Sequence, residues 1–128
     1  MRKIILCFLL ITFRVSASDS CENIQLSDQI FSCAKNKYAA SDALLNKSYK
    51  ELMAKIAKDY KSKPDLKADF IGKVKISQRA WIIFRDTNCL VYSYQIDPQS
   101  QAYETSLYLC KIDMTNQRVV EINKMLMQ

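Results

Sequence analysis

Three stretches of the chain repeat apolar residues at alternating steps of three and four, the spacing that places side chains on one face of an α-helix. In the first, Tyr38, Asp42, Leu45, Tyr49, Leu52 and Ile56 share a stripe, and Lys47, Lys50, Lys55 and Lys58 occupy the remaining surface. That helix is expected to end near Tyr60. Ser62-Lys63-Pro64-Asp65 then has the form of a helix start, with Ser62 as the cap. Proline suits a first turn because its missing N–H has no intrahelical partner there, and Asp65 suits the positive end of the helix dipole.

The second helix is expected from about Asp65 to Tyr94, with Val74, Gln78, Trp81, Arg85, Cys89 and Tyr92 on one face. Gly72 is a candidate kink, since glycine inside a helix costs about 1 kcal/mol relative to alanine. Asp97-Pro98 breaks the pattern and Ser100 is placed to cap a third helix. Its stripe is Tyr103, Leu107, Cys110, Met114, Arg118, Ile122 and Met125. One glycine and two prolines in 128 residues leave little turn chemistry for a β-sandwich. The expected fold is all-α, a small antiparallel helical hairpin or bundle forming one domain.

Several polar residues fall inside these apolar stripes. Asp42 lies between Tyr38 and Leu45, Arg85 between Trp81 and Cys89, and Arg118 follows Met114. A charge facing a core needs a partner, because the desolvation cost is otherwise large. The economical arrangement has Asp42 accepting hydrogen bonds from Arg85, Arg118 or both, with Asn46 and Gln78 extending a structural network. Trp81 and Tyr49 are read as core aromatics.

The N-terminus changes how the charge and cysteine counts are read. Met1, Arg2 and Lys3 precede an apolar run from Ile4 to Phe13, and Val15-Ser16-Ala17 offers the small residues a signal peptidase reads. A run of about ten residues is too short to span a bilayer, so residues 1–17 read as a cleaved export signal and residues 18–128 as the mature domain. Cleavage removes 17 residues and leaves 111, and it lowers the net charge from +6 to +3, since Arg2, Lys3 and Arg14 go while all 13 acidic residues stay. A mildly basic exported chain with dispersed lysines is not expected to bind nucleic acid.

Cys7 lies in the signal, and four cysteines remain: Cys21, Cys33, Cys89 and Cys110. An even set in a small exported domain reads as two disulfides with three possible connectivities. Cys21–Cys33 and Cys89–Cys110 are favoured, because each pair meets across a short local loop. Each such bond is worth about 3 kcal/mol in the chain-entropy model. With no histidine and no CxxC, a metal site is not expected, nor is a cofactor.

The missing histidine also removes the usual Ser–His and Cys–His nucleophile systems, and the single glycine excludes a glycine-rich phosphate cradle. No second carboxylate pairs with Asp42 by spacing, so the chain does not read as an enzyme. Tyr92, Tyr94, Tyr103 and Tyr108 gather around Pro98. Helical spacing assigns Tyr92 and Tyr103 to the core and leaves Tyr94 and Tyr108 as candidate partner contacts.

Cys33 with Asp42-Ala43-Leu44-Leu45-Asn46-Lys47-Ser48-Tyr49, the segment Gln78-Arg79-Ala80-Trp81-Ile82-Ile83-Phe84-Arg85-Asp86-Thr87-Asn88-Cys89, and Cys110 with Thr115 and Arg118 together resemble the LprI-type lysozyme-inhibitor domain family of small exported bacterial proteins. The resemblance spans nearly the whole expected mature chain. It implies a helical, disulfide-bonded protein of the periplasm or cell surface whose partner is a protein, either lysozyme or another cell-wall hydrolase. Ser18-Asp19-Ser20 before Cys21 departs from a lipidation site, so no stable membrane anchor is expected. An accessory envelope role without a hydrolase target is the alternative, and polymer binding through the lysine-rich face of the first helix a third.

Overall fold

The computed structural model describes residues 21–128, so the expected export signal, residues 1–17, lies outside the described residues. Three helices follow one another: α1 (Ser27–Asp59), α2 (Pro64–Tyr92) and α3 (Gln101–Leu126). The fold is all-α, and it carries the disulfides Cys21–Cys33 and Cys89–Cys110, with Cα atoms 4.9 and 5.7 Å apart.

Local chemistry explains the helix ends. Before α1 the Gln29 side-chain oxygen accepts from the backbone N–H of Gln25 (2.7 Å) and of Leu26 (3.0 Å), serving donors ahead of the first turn. Pro64 opens α2 and Asp65 sits in its first turn. The cap position there belongs to Lys63 rather than the expected Ser62, and no side chain caps it. Pro64 has no N–H to serve, so the need for a cap is smaller. Helix α2 runs unbroken through Gly72, where an added methyl group would meet nothing within 4 Å. It stops at Tyr92, short of the expected Tyr94. The Ser100 hydroxyl accepts from the Tyr103 N–H at 3.2 Å and caps α3.

Side-chain pairs fix the topology. Phe31 and Tyr38 of α1 pack tilted against Tyr108 near the start of α3, while Leu52 and Ile56 near the end of α1 share an apolar cluster with Val119 and Ile122. Helices α1 and α3 therefore run parallel, in the most extensive interface of the bundle. Helix α2 runs antiparallel to both, pairing Arg85 with Asp42 and Thr115, and Cys89 with Cys110.

The bundle is zoned along its length. Near the α1–α2 turn lies the apolar cluster of Leu45, Leu52, Ile56, Val119 and Ile122, with Tyr49, Val74 and Trp81 packed against it. Each buried aliphatic side chain there contributes roughly 1.5–3 kcal/mol. Polar and aromatic groups fill the middle, and Cys89–Cys110 clamps the far end. Tyr92, expected in the core, is 72% exposed. It overhangs the clamp, and the α3 residues beside it, Ala102, Thr105 and Ser106, are too small to cover it. Met125, expected on the apolar stripe, is likewise 40% exposed.

Candidate functional site

The middle zone is built around Arg85. Its position on the inward stripe of α2 carries the guanidinium between the rings of Tyr38 and Trp81, 5.5 and 5.3 Å from their centroids. One terminal nitrogen donates to the Thr115 hydroxyl (3.3 Å) and approaches Asp42 Oδ1 (3.5 Å), and Nε donates to Asp86 Oδ1 (3.0 Å). Asn46 Nδ2 donates to the other Asp42 oxygen at 3.2 Å, the one-turn spacing of α1 bringing them together. Lys111 of α3 reaches Asp86 Oδ1 at 3.4 Å and lies over the Tyr38 ring.

Arg118 does not join Asp42. Its Nε donates to Gln78 Oε1 (3.1 Å), and its terminal nitrogens donate to Ser77 Oγ (3.2 Å) and Glu121 Oε2 (2.8 Å). Helix α3 sets Arg118 one turn below Thr115, level with Gln78 on the antiparallel α2, so Asp42 falls to Arg85 alone. Trp81 consequently lies between two guanidiniums, with Arg118 5.7 Å from its ring. The network thus divides into two centres, Arg85–Asp42–Asn46 and Arg118–Gln78, joined by one indole.

These groups have little left with which to do chemistry. Arg85, Thr115 and Gln78 are buried, and no buried side-chain polar atom lacks a partner among the described residues. The described residues contain no cluster of metal-ligating side chains. Tyr38 holds its phenolic proton above the ordinary pKa of 10.0, mainly because burial disfavours the anion and despite the opposing charge of Arg85. The phenol thus stays neutral among two cations, Arg85 and Lys111, and two carboxylates, Asp42 and Asp86.

A second feature lies at the α2–α3 turn. Tyr94 is 84% exposed, and Val91 and Tyr92 stand beside it. The turn beneath is stiff. Ser93 is fully buried and donates to Ser106 Oγ at 2.8 Å, Asp97 Oδ1 accepts from the Gln99 N–H, and Cys89–Cys110 sits one turn away. Against Tyr92 opens a cleft of about 330 Å³ whose apolar walls include Ile30, Ala102 and Leu109. Tyr108, expected to face a partner, instead packs half-buried between Phe31 and Tyr38, 5.9 and 5.6 Å from their rings. The parallel α1–α3 pairing, invisible in either helix alone, covers it.

Asp86, Lys111 and the Ser93–Ser106 pair were not singled out by pattern. Asp86 follows Arg85 directly, and that adjacency was the available signal. The others depend on helix register and carry none.

The family model described as lysozyme inhibitor LprI matches residues 18–122. An uncharacterized protein of Rhizobium meliloti is 31% identical over 98 residues, covering 73% of this chain and 69% of that one. The uncharacterized protein YecT of Escherichia coli is 33% identical over 99 residues, covering 73% of this chain and 60% of its own length. Among solved structures, a DUF1311 family protein from Pseudomonas putida has the same fold, with a TM-score of 0.73 at 21% identity over 83% of this chain and 99% of that one.

Proposed function

The chain belongs to the LprI lysozyme-inhibitor family, and on that premise we propose that it is an exported envelope protein that binds a lysozyme or another cell-wall hydrolase and blocks it by covering its substrate cleft. The functional unit is residues 18–128, released from its leader. Two disulfides together with the family support an extracytoplasmic, oxidising location for such a protein. No described helix is long and apolar enough to cross a membrane.

The observation that carries this reading is the Val91–Tyr92–Tyr94 surface. Exposed aromatics on a turn held by Ser93, Asp97 and the nearby disulfide, beside an open apolar cleft, offer the large contact area that binding hot spots use. The charged residues of the middle zone support it from the other side, because they are engaged in holding helices together. Inhibition is then steric and needs no bond making. A mature charge of +3 gives no long-range attraction to a basic lysozyme, so binding rests on local fit, with lysines free to meet an acidic cleft.

The test is a cell-wall lysis assay with the purified, oxidised protein against several classes of lysozyme, beside Tyr94→Ala. The wild-type protein is expected to slow lysis and the variant to lose at least about tenfold in potency while keeping its helical spectrum. No inhibition at micromolar excess, with no complex by light scattering, overturns the reading.

A further inference from the structure

Helix α2 is apolar on two opposite faces. Its inward face carries Val74, Gln78, Trp81, Arg85 and Cys89. At 100° per residue, Ile76, Ile83, Thr87 and Leu90 point the other way, flanked by Ala80, Phe84 and Val91. Ile76 is 70% exposed, Ile83 65%, Phe84 58%, Leu90 50% and Val91 75%, and Ala80 and Thr87 are exposed as well. The outward face of a bundle helix ordinarily carries charge. Between Ile76 and Leu90 the outer surface has only Arg79 and Asp86, both on the same flank.

We propose that this stripe is the interface of a symmetric dimer, in which α2 packs antiparallel on α2 of a second copy with the two-fold axis at Ile83. Ile76, Ile83, Phe84 and Leu90 form one contiguous apolar strip, each at least half exposed, and a patch of that kind on a helix face marks an interaction site. Its register is nearly palindromic. Ile76 and Leu90 each stand seven residues from Ile83, so the axis sets Ile76 of one copy on Leu90 of the other and each Ile83 on its twin.

Charge selects the same arrangement. Arg79 stands four residues before Ile83, and Asp86 and Thr87 stand three and four after it, so an antiparallel pair brings Arg79 of each copy beside Asp86 of the other. A parallel two-fold pair would instead carry the two charged flanks to opposite sides of the seam and leave Arg79 without a carboxylate across it. Asp86 is suited to the extra contact: Arg85 and Lys111 both approach Oδ1, and the side chain keeps 43% of its surface exposed. The dimer surface lies along the helix and meets the partner-binding turn only at its edge, Val91, leaving Tyr92 and Tyr94 uncovered.

The test is sedimentation equilibrium on protein purified from cells expressing the full chain, with both disulfides formed. The wild-type protein is expected at twice the monomer mass at micromolar concentration. Ile83→Asp, at an exposed position, is expected to keep the helical spectrum and raise the dimer dissociation constant at least about a hundredfold, by burying like charges at the axis. Under mild oxidation Ile83→Cys is expected to crosslink to itself, and Ile76→Cys only when mixed with Leu90→Cys. A wild-type monomer up to about 100 µM, a dimer that survives Ile83→Asp, or self-crosslinking of Ile76→Cys would each overturn the proposal.

Discussion

The Arg85 side chain is 6% exposed, whereas the Asp42 carboxylate it approaches at 3.5 Å is 41% exposed. The pair is therefore asymmetric. Tyr38, Trp81 and Thr115 enclose the guanidinium, while the carboxylate stands at the surface and is shared with Asn46. The buried cation depends on the whole enclosure, and the carboxylate is one part of it.

Removing either partner should therefore have unequal effects. Asp42→Ala is expected to cost about 1 kcal/mol, because Arg85 keeps Asp86 and Thr115 and the lost contact is partly screened by solvent. Arg85→Ala is expected to cost about 3 kcal/mol or more, since it empties the space between two rings and removes three hydrogen bonds. In urea unfolding the double variant should lose about 1 kcal/mol less than the sum of the single losses. Strict additivity would mean the two groups do not interact.

The disulfides should also differ. Cys89–Cys110 joins α2 to α3 across a separation of 21 residues, and Cys89 is fully buried. Replacing both cysteines with alanine is expected to cost about 3 kcal/mol. Cys21–Cys33 closes a separation of 12 residues, and the segment it ties back, residues 22–26, is exposed. Its removal frees a terminal segment more than it loosens the core, so the loss should be less than half as large. Titration with dithiothreitol followed by mass spectrometry should show Cys21–Cys33 reduced first.

Tyr38 predicts an alkaline limit. Its pKa is raised above 10.0, chiefly by burial, so the folded protein retains a proton that the unfolded chain gives up. The associated stability is intact below pH 10 and is lost as pH rises through the folded pKa. Urea midpoints measured from about pH 8 to about pH 11 should fall more steeply for the wild-type protein than for Tyr38→Phe, which has no phenol to ionise. Equal slopes would show that burial of this hydroxyl is not coupled to folding.

Much of the architecture could be read from spacing. Helix stripes, the proline at the start of α2, the Ser100 cap and the local disulfide pairs all rest on contacts between residues near each other in the chain, where the step of three or four residues dictates the geometry. The Asp42–Arg85 approach was legible for a different reason. A charge placed in an apolar stripe requires a partner, and few candidates were available.

What the amino-acid order settled was the existence of three amphipathic helices, two crosslinks and a set of charges that must be neutralised inside. The tertiary arrangement decided which helices lie parallel, hence that Tyr108 is covered by Phe31 and Tyr38, that Arg118 turns to Gln78, and that Tyr92 overhangs small neighbours. It also revealed that α2 keeps a second apolar face that neither α1 nor α3 covers. Periodicity identifies the faces of a helix but does not say which neighbour covers each one, because that depends on register and crossing between segments far apart in the chain.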